Sequence, residues 1–138
     1  MDPPAVSLPL PRIALFTADL TDRPDRRALV ALAHALADLG HPVDLVAPMG
    51  GGSLRAGLDP AIGQIDLCNR WAATSAFALA RCVAERRPAV LAVPVSVAWV
   101  ARLAVRLARS PARILTIAAD AALDDSLSAI RDAARQSG

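Results

Sequence analysis

Three aspartates and three arginines fall within nine residues, Asp19-Leu20-Thr21-Asp22-Arg23-Pro24-Asp25-Arg26-Arg27. A carboxylate in such a loop can accept a proton from a hydroxyl, and a neighbouring guanidinium can fix a polar ligand. Asp19 is therefore the candidate base and Arg27 the candidate ligand contact. The plainer reading is a solvated helix start, in which Asp22 or Asp25 caps the helix and Pro24 occupies its first turn. A second candidate is Gly50-Gly51-Gly52-Ser53. Glycine backbone freedom suits a phosphate cradle or a mobile loop over a ligand. The run lacks the lysine and the spacing of a phosphate-binding loop, so a flexible connector is the simpler account.

Trp99, Arg102, Arg106 and Arg109 form a third group. The three arginines follow i, i+4, i+7 and make one basic ridge on a helix, suited to an anionic lipid surface or a protein partner. A core helix with a solvated arginine face is the ordinary alternative. The two histidines, His34 and His41, lack the Cys, Asp or Glu company of a metal site. His34 lies off the apolar stripe of its helix, and His41 sits in the turn after Gly40, where an imidazole can meet the last helical carbonyls. Asp120, Asp124 and Asp125 cluster late in the chain, where helix capping competes with binding of a hard cation. Cys68 and Cys82 have neither disulfide nor metal spacing and read as free thiols in a reducing cytoplasm. No metal and no cofactor is implied.

The elements that position these groups alternate. An apolar strand over Arg12–Phe16 leads through the Asp/Arg loop into a helix that stops at Gly40-His41, and a second strand follows over Val43–Ala47. Such a β-α-β opening commits the chain to a parallel sheet whose ligand edge lies at the carboxyl ends of the strands. A helical turn over Leu54–Leu58, a strand over Ile62–Cys68, a helix over Trp71–Arg87 and an uninterrupted apolar strand over Val90–Val93 come next. Ser96 then caps a helix running to Arg109, Pro111 breaks it, Ile114–Ile117 forms a fifth strand, and a last helix runs from Asp124 or Asp125 to about Gln136. Residues 1–11, rich in proline, form an extended leader, and 12–138 form one domain. The expected fold is α/β: a single Rossmann-like, doubly wound domain of about five parallel strands with helices on both faces.

Composition limits the function. The chain is 54% hydrophobic but only 3% aromatic, has no tyrosine, and carries a net charge of +2. Nucleic-acid binding needs clustered basic residues with stacking aromatics, so it is not expected. The longest apolar run, Ala89–Ala101, contains Pro94 and is too short to cross a bilayer.

Several segments in their order resemble the N-terminal, acceptor-binding domain of family-four glycosyltransferases of the two-domain GT-B type: RIALFTADL, RRALVALAHALADLGHPVDLVAP, GSLRAGL, IDLCNR, ALARCVAERRPAVLAVP and ARILTIAAD, spanning roughly residues 12–120. The resemblance implies transfer of a sugar from a nucleotide-sugar donor to an acceptor in a cleft between two Rossmann-like domains, with the donor-binding half missing from this stretch. Arg27 stands at the position of the family arginine, while Arg26 replaces the glutamate before it. The glycine-rich turn after the first strand is replaced by the Asp/Arg loop, and Ala118-Ala119-Asp120 stands where a histidine is usual. The resemblance thus implies an acceptor-side half or a degenerate remnant that does not catalyse transfer alone, a partner chain with a donor-binding domain, and a cytoplasmic setting with peripheral contact at the inner membrane face. Asp19, Arg27 and Gly50 to Ser53 become acceptor-side contacts. Two other readings compete: a non-catalytic interaction module on the same scaffold, and a small nucleotide-binding protein of the universal-stress type. The second of these expects a glycine-rich phosphate motif that Val93-Pro94-Val95-Ser96-Val97 lacks.

Overall fold

A computed structural model describes residues 10–17, 19–48, 51–67, 72–118 and 122–136, with backbone only for 72–74. Five strands, β1 (Ile13–Phe16), β2 (Val43–Ala47), β3 (Gly63–Asp66), β4 (Val90–Pro94) and β5 (Arg113–Ile117), form one sheet in the order β3-β2-β1-β4-β5. All four pairings are parallel, with Ile13 opposite Val43 and Val90, Asp44 opposite Gly63, and Val90 opposite Arg113. Parallel strands need crossovers, which α1 (Pro24–Asp38), α2 (Ala72–Arg86) and α3 (Ala98–Ala108) supply in part, followed by α4 (Leu123–Gln136). The expected Rossmann-like α/β architecture is the one observed.

The central strands are apolar because both their faces are covered. Ile13, Leu15, Val43, Leu45, Val90 and Ala92 pack on one face with Leu32, Ala33 and Leu36 of α1 and Ile130 and Ala134 of α4. Ala14, Phe16, Val46, Leu91 and Val93 point to the other face, against α2 and α3. Ala76 and Ala80 of α2 and Ala101 and Ala104 of α3 are all buried there. Their small side chains allow the close approach of these two helices, which pack extensively on each other.

A carboxylate is buried beside this core. Asp44 in β2 is 1% exposed and sits between two arginines. Arg86 at the end of α2 donates to it through Nη2 at 2.7 Å and Nε at 3.1 Å, and Arg12 through Nη1 at 3.1 Å. A buried carboxylate is tolerable only when paired in this way. The hydrogen bonds to Asp44, with its charge, raise the Arg86 pKa further. Gly63 in β3 makes the arrangement possible, since a Cβ there would collide with Asp44 Oδ1.

Helix starts depart from the sequence expectation. The N-cap of α1 is Arg23, with Pro24 in the first turn and no side-chain cap, so neither Asp22 nor Asp25 caps it. Asp25 instead lies in the first turn, where its charge favours the helix N-terminus without a capping bond. Ser96 falls inside a 3-10 turn (Val95–Val97), and Val97 is the uncapped N-cap of α3. Asp124 and Asp125 occupy the exposed first turn of α4. The buried imidazole of His41 reaches the Pro11 carbonyl at 3.0 Å rather than the last helical carbonyls, and His34 Nε2 accepts from the Asp59 amide at 3.2 Å. Most of the proline-rich leader, together with Gly50, Cys68 and Asp120, lies outside the described residues.

Candidate functional site

In an open parallel sheet, ligands bind outside the carboxyl ends of the strands where the strand order reverses, here between β1 and β4. A cavity of about 450 Å³ opens beside that point. Ala28, Leu29 and Leu32 of α1 form one wall. Pro94 at the end of β4, Val95 after it and Ile117 at the end of β5 line it as well, together with Leu123 of α4. Among the described residues, Asp25, Ser96 and Ser126 bring polar side chains to it. Volume and lining are those of a small-molecule site, mostly apolar with a few polar groups that orient the ligand.

The Asp/Arg loop adjoins this cavity through one guanidinium. Arg26 Nη1 donates to Asp25 at 2.8 Å, and its Nε lies 3.2 Å from Asp19 Oδ1. That second approach falls short of hydrogen-bond geometry, so the buried Nε is held to Asp19 by charge. Asp19 Oδ1 also accepts from the Thr21 amide at 3.0 Å and the Thr21 hydroxyl at 2.6 Å. Burial pushes the Asp19 carboxyl up, but the Thr21 hydrogen bonds and the Arg26 charge outweigh it and hold the group below the usual carboxylate range. A carboxylate held down in this way is a weak base. Asp19 orders the loop and fixes Arg26, which in turn orients Asp25 at the cavity rim.

Arg27 points elsewhere. Its Nε pairs with Asp22 at 3.0 Å, with both side chains largely exposed. Exposed pairs of this kind contribute little, so Arg27 remains available to solvent. The glycine run is not slack: the Leu20 amide donates to the Gly51 carbonyl at 3.1 Å, and the Leu54 amide to the Leu20 carbonyl at 3.0 Å. Gly52, at φ 145°, lies against the Leu20 backbone so closely that a Cβ would collide with its carbonyl. Gly51, Gly52 and Ser53, which begins a 3-10 turn ending at Gly57, therefore form a fixed seam with the loop after β1. At Gly52 glycine is required for close approach and for positive φ rather than for looseness.

The Val95–Val97 turn leads from the cavity into α3. Val95 is 63% exposed and Trp99 50%, and Leu103 and Leu107 continue that face. Arg102, Arg106 and Arg109 are exposed as well, so the basic ridge runs beside an uncovered apolar one. The sequence pattern revealed the arginines. Leu103 and Leu107 carry no such signal, because an apolar residue in a helix gives no sign of its exposure.

Cys82 is buried, and burial together with the Asp44 charge pushes its thiol up to about 11. A thiol this reluctant to ionise is not a nucleophile. Among the described residues no cluster of His, Cys, Asp and Glu can hold a metal ion, and no helix is long and apolar enough to cross a membrane.

No family model matches the chain, and no curated protein matches it. Among solved structures, the crystal structure of a glycosyltransferase from Rickettsia africae ESF-5 superimposes with a TM-score of 0.62 at 19% identity, covering 78% of this chain and 29% of that one. The chain thus spans less than a third of that protein's length. The likeness is one of fold: a five-stranded, parallel, Rossmann-like α/β domain of glycosyltransferase-like architecture.

Proposed function

We propose that the chain is the acceptor-side domain of a sugar-transfer enzyme of GT-B type, and that a partner chain carrying a donor-binding domain completes it. The observation that supports this most is the cavity at the carboxyl ends of β4 and β5, in a fold shared with part of a much longer glycosyltransferase. In the reaction, an acceptor hydroxyl oxygen bonds to the anomeric carbon, the bond from that carbon to the nucleotide diphosphate breaks, and the hydroxyl proton passes to a base. Among the described residues the carboxylate that lines this cavity is Asp25; Asp19, already engaged by Thr21 and Arg26, reaches it only through the Arg26 guanidinium. The first loop supplies no glycine cradle for a diphosphate, so the donor contacts and much of the chemistry fall to the partner. The chain works in the cytoplasm in this reading. Titration calorimetry with UDP- and GDP-sugars tests it: binding and transfer are expected only when a donor-domain chain, sought first among neighbouring reading frames, is mixed with this one. Absence of heat and of transfer in the mixture removes the reading.

A second reading, an interaction module with no chemistry of its own, is favoured by one observation, the α3 face. Trp99, Leu103 and Leu107 beside Arg102, Arg106 and Arg109 suit an anionic membrane surface, with the indole at the headgroup level and guanidinium groups on phosphates. Co-sedimentation with phosphatidylglycerol vesicles is expected for the native chain and lost by about tenfold in Arg102→Glu/Arg106→Glu. Equal sedimentation of the two proteins removes this contact.

A further inference from the structure

We infer that the cavity between α1 and α4 holds the hydrocarbon part of a neutral, hydroxyl-bearing amphiphile. The assignment of this molecule as the sugar acceptor rests on the transfer reading above, but its binding does not. Three observations lead to it. The wall is hydrocarbon in depth, from Leu29 and Leu32 on one side to Ile117 and Leu123 on the other, and burying an apolar group there gains roughly 25 cal/mol for each Å² removed from water. Among the described residues, the polar side chains that line it are two hydroxyls, Ser96 and Ser126, and one carboxylate, Asp25, whose charge Arg26 already balances. Hydroxyl partners suit a hydroxylated head.

The N-terminus of α1, beside the rim, disfavours an anionic head. Pro24 supplies no amide there, and Asp25 puts a negative charge in the first turn where an anion would otherwise be held. The occupant is therefore uncharged. Val95 carries the apolar lining to the exterior, where it stands 63% exposed at the mouth of the cavity. An alkyl or prenyl chain longer than the cavity has an apolar exit there.

The probe is n-octyl β-D-glucoside below its micelle concentration, followed by amide chemical shifts of the whole chain. Saturable shifts at Leu29, Ser96, Ile117 and Leu123 are expected, with none for methyl β-D-glucoside, which has the head without the chain. Ala28 and Ala31 line the cavity but are exposed, so Ala28→Trp and Ala31→Trp fill it from the rim without disturbing the core, and the thermal midpoint checks that they fold. Each is expected to weaken octyl glucoside binding at least tenfold. Equal affinity in the blocked variants, shifts confined to the Trp99 face, or methyl glucoside binding as tightly as the octyl compound would overturn the inference. Binding to phosphatidylcholine vesicles with none to monomeric octyl glucoside would assign the apolar surface to a bilayer instead. A dimer seen by sedimentation that Ala28→Trp dissolves, with no octyl glucoside binding, would assign it to a second copy. Octyl glucoside binding without transfer in the partner mixture would leave the cavity assigned and the transfer reading refuted.

Discussion

Asp44 was visible in the sequence only as one polar residue in an apolar strand, the kind that ordinarily faces solvent. Its partners are 32 positions before it and 42 after it, so no local pattern announces the clamp. The clamp predicts an asymmetry between substitutions. Arg86→Met removes two hydrogen bonds from a carboxylate that has no water to turn to, and a loss of about 3 kcal/mol is expected. Asp44→Asn discards the buried charge and leaves two arginines that reach solvent, so its cost is expected to be the smaller of the two. Urea unfolding of both variants at neutral pH measures the order, and a larger loss in Asp44→Asn would contradict this account. Asp19 teaches a similar lesson. Its place after the first strand was legible, whereas its engagement with Thr21 and Arg26, which depresses its basicity, was not.

At the scale of elements, strands and helices were legible because apolar runs bounded by Gly40, Pro88 and Pro111 leave few alternatives. Helix starts were less so. Asp22, Asp25 and Ser96 all have capping chemistry, but Arg23 and Val97 hold the N-cap positions, with Asp25 inside the first turn of α1 and Ser96 inside a 3-10 turn. The glycine run shows how one residue type can be read in two ways. Sequence suggested slack; the structure makes Gly51 and Gly52 a seam whose other half, Leu20, is a leucine with no visible signal. Gly52→Ala is therefore expected to cost about 2 kcal/mol or more, because the added methyl meets the Leu20 backbone at a positive φ. Thermal unfolding tests this, with Gly51→Ala, which has open space around its Cα, as the tolerated control.

At the scale of the whole molecule, the doubly wound sheet followed from the alternation of elements, but the cavity did not. Its wall comes from α1, the ends of β4 and β5, and α4, four segments that meet only once the sheet order is set. The position of α4 has one more consequence. The helices α2 and α3, which carry the chain toward β4 and β5, lie on one face, while α4 crosses back to the face of α1. A right-handed connection through α4 alone would run toward β3 and not past β5, and left-handed ones are nearly unknown. The outer rim of β5, with Ile114, Leu115 and Ile117 only half-covered, is thus not extended by a parallel strand that simply follows α4. Sheet growth at that rim calls for an antiparallel strand, a path that first regains the α2–α3 side, or backbone lent by another polypeptide.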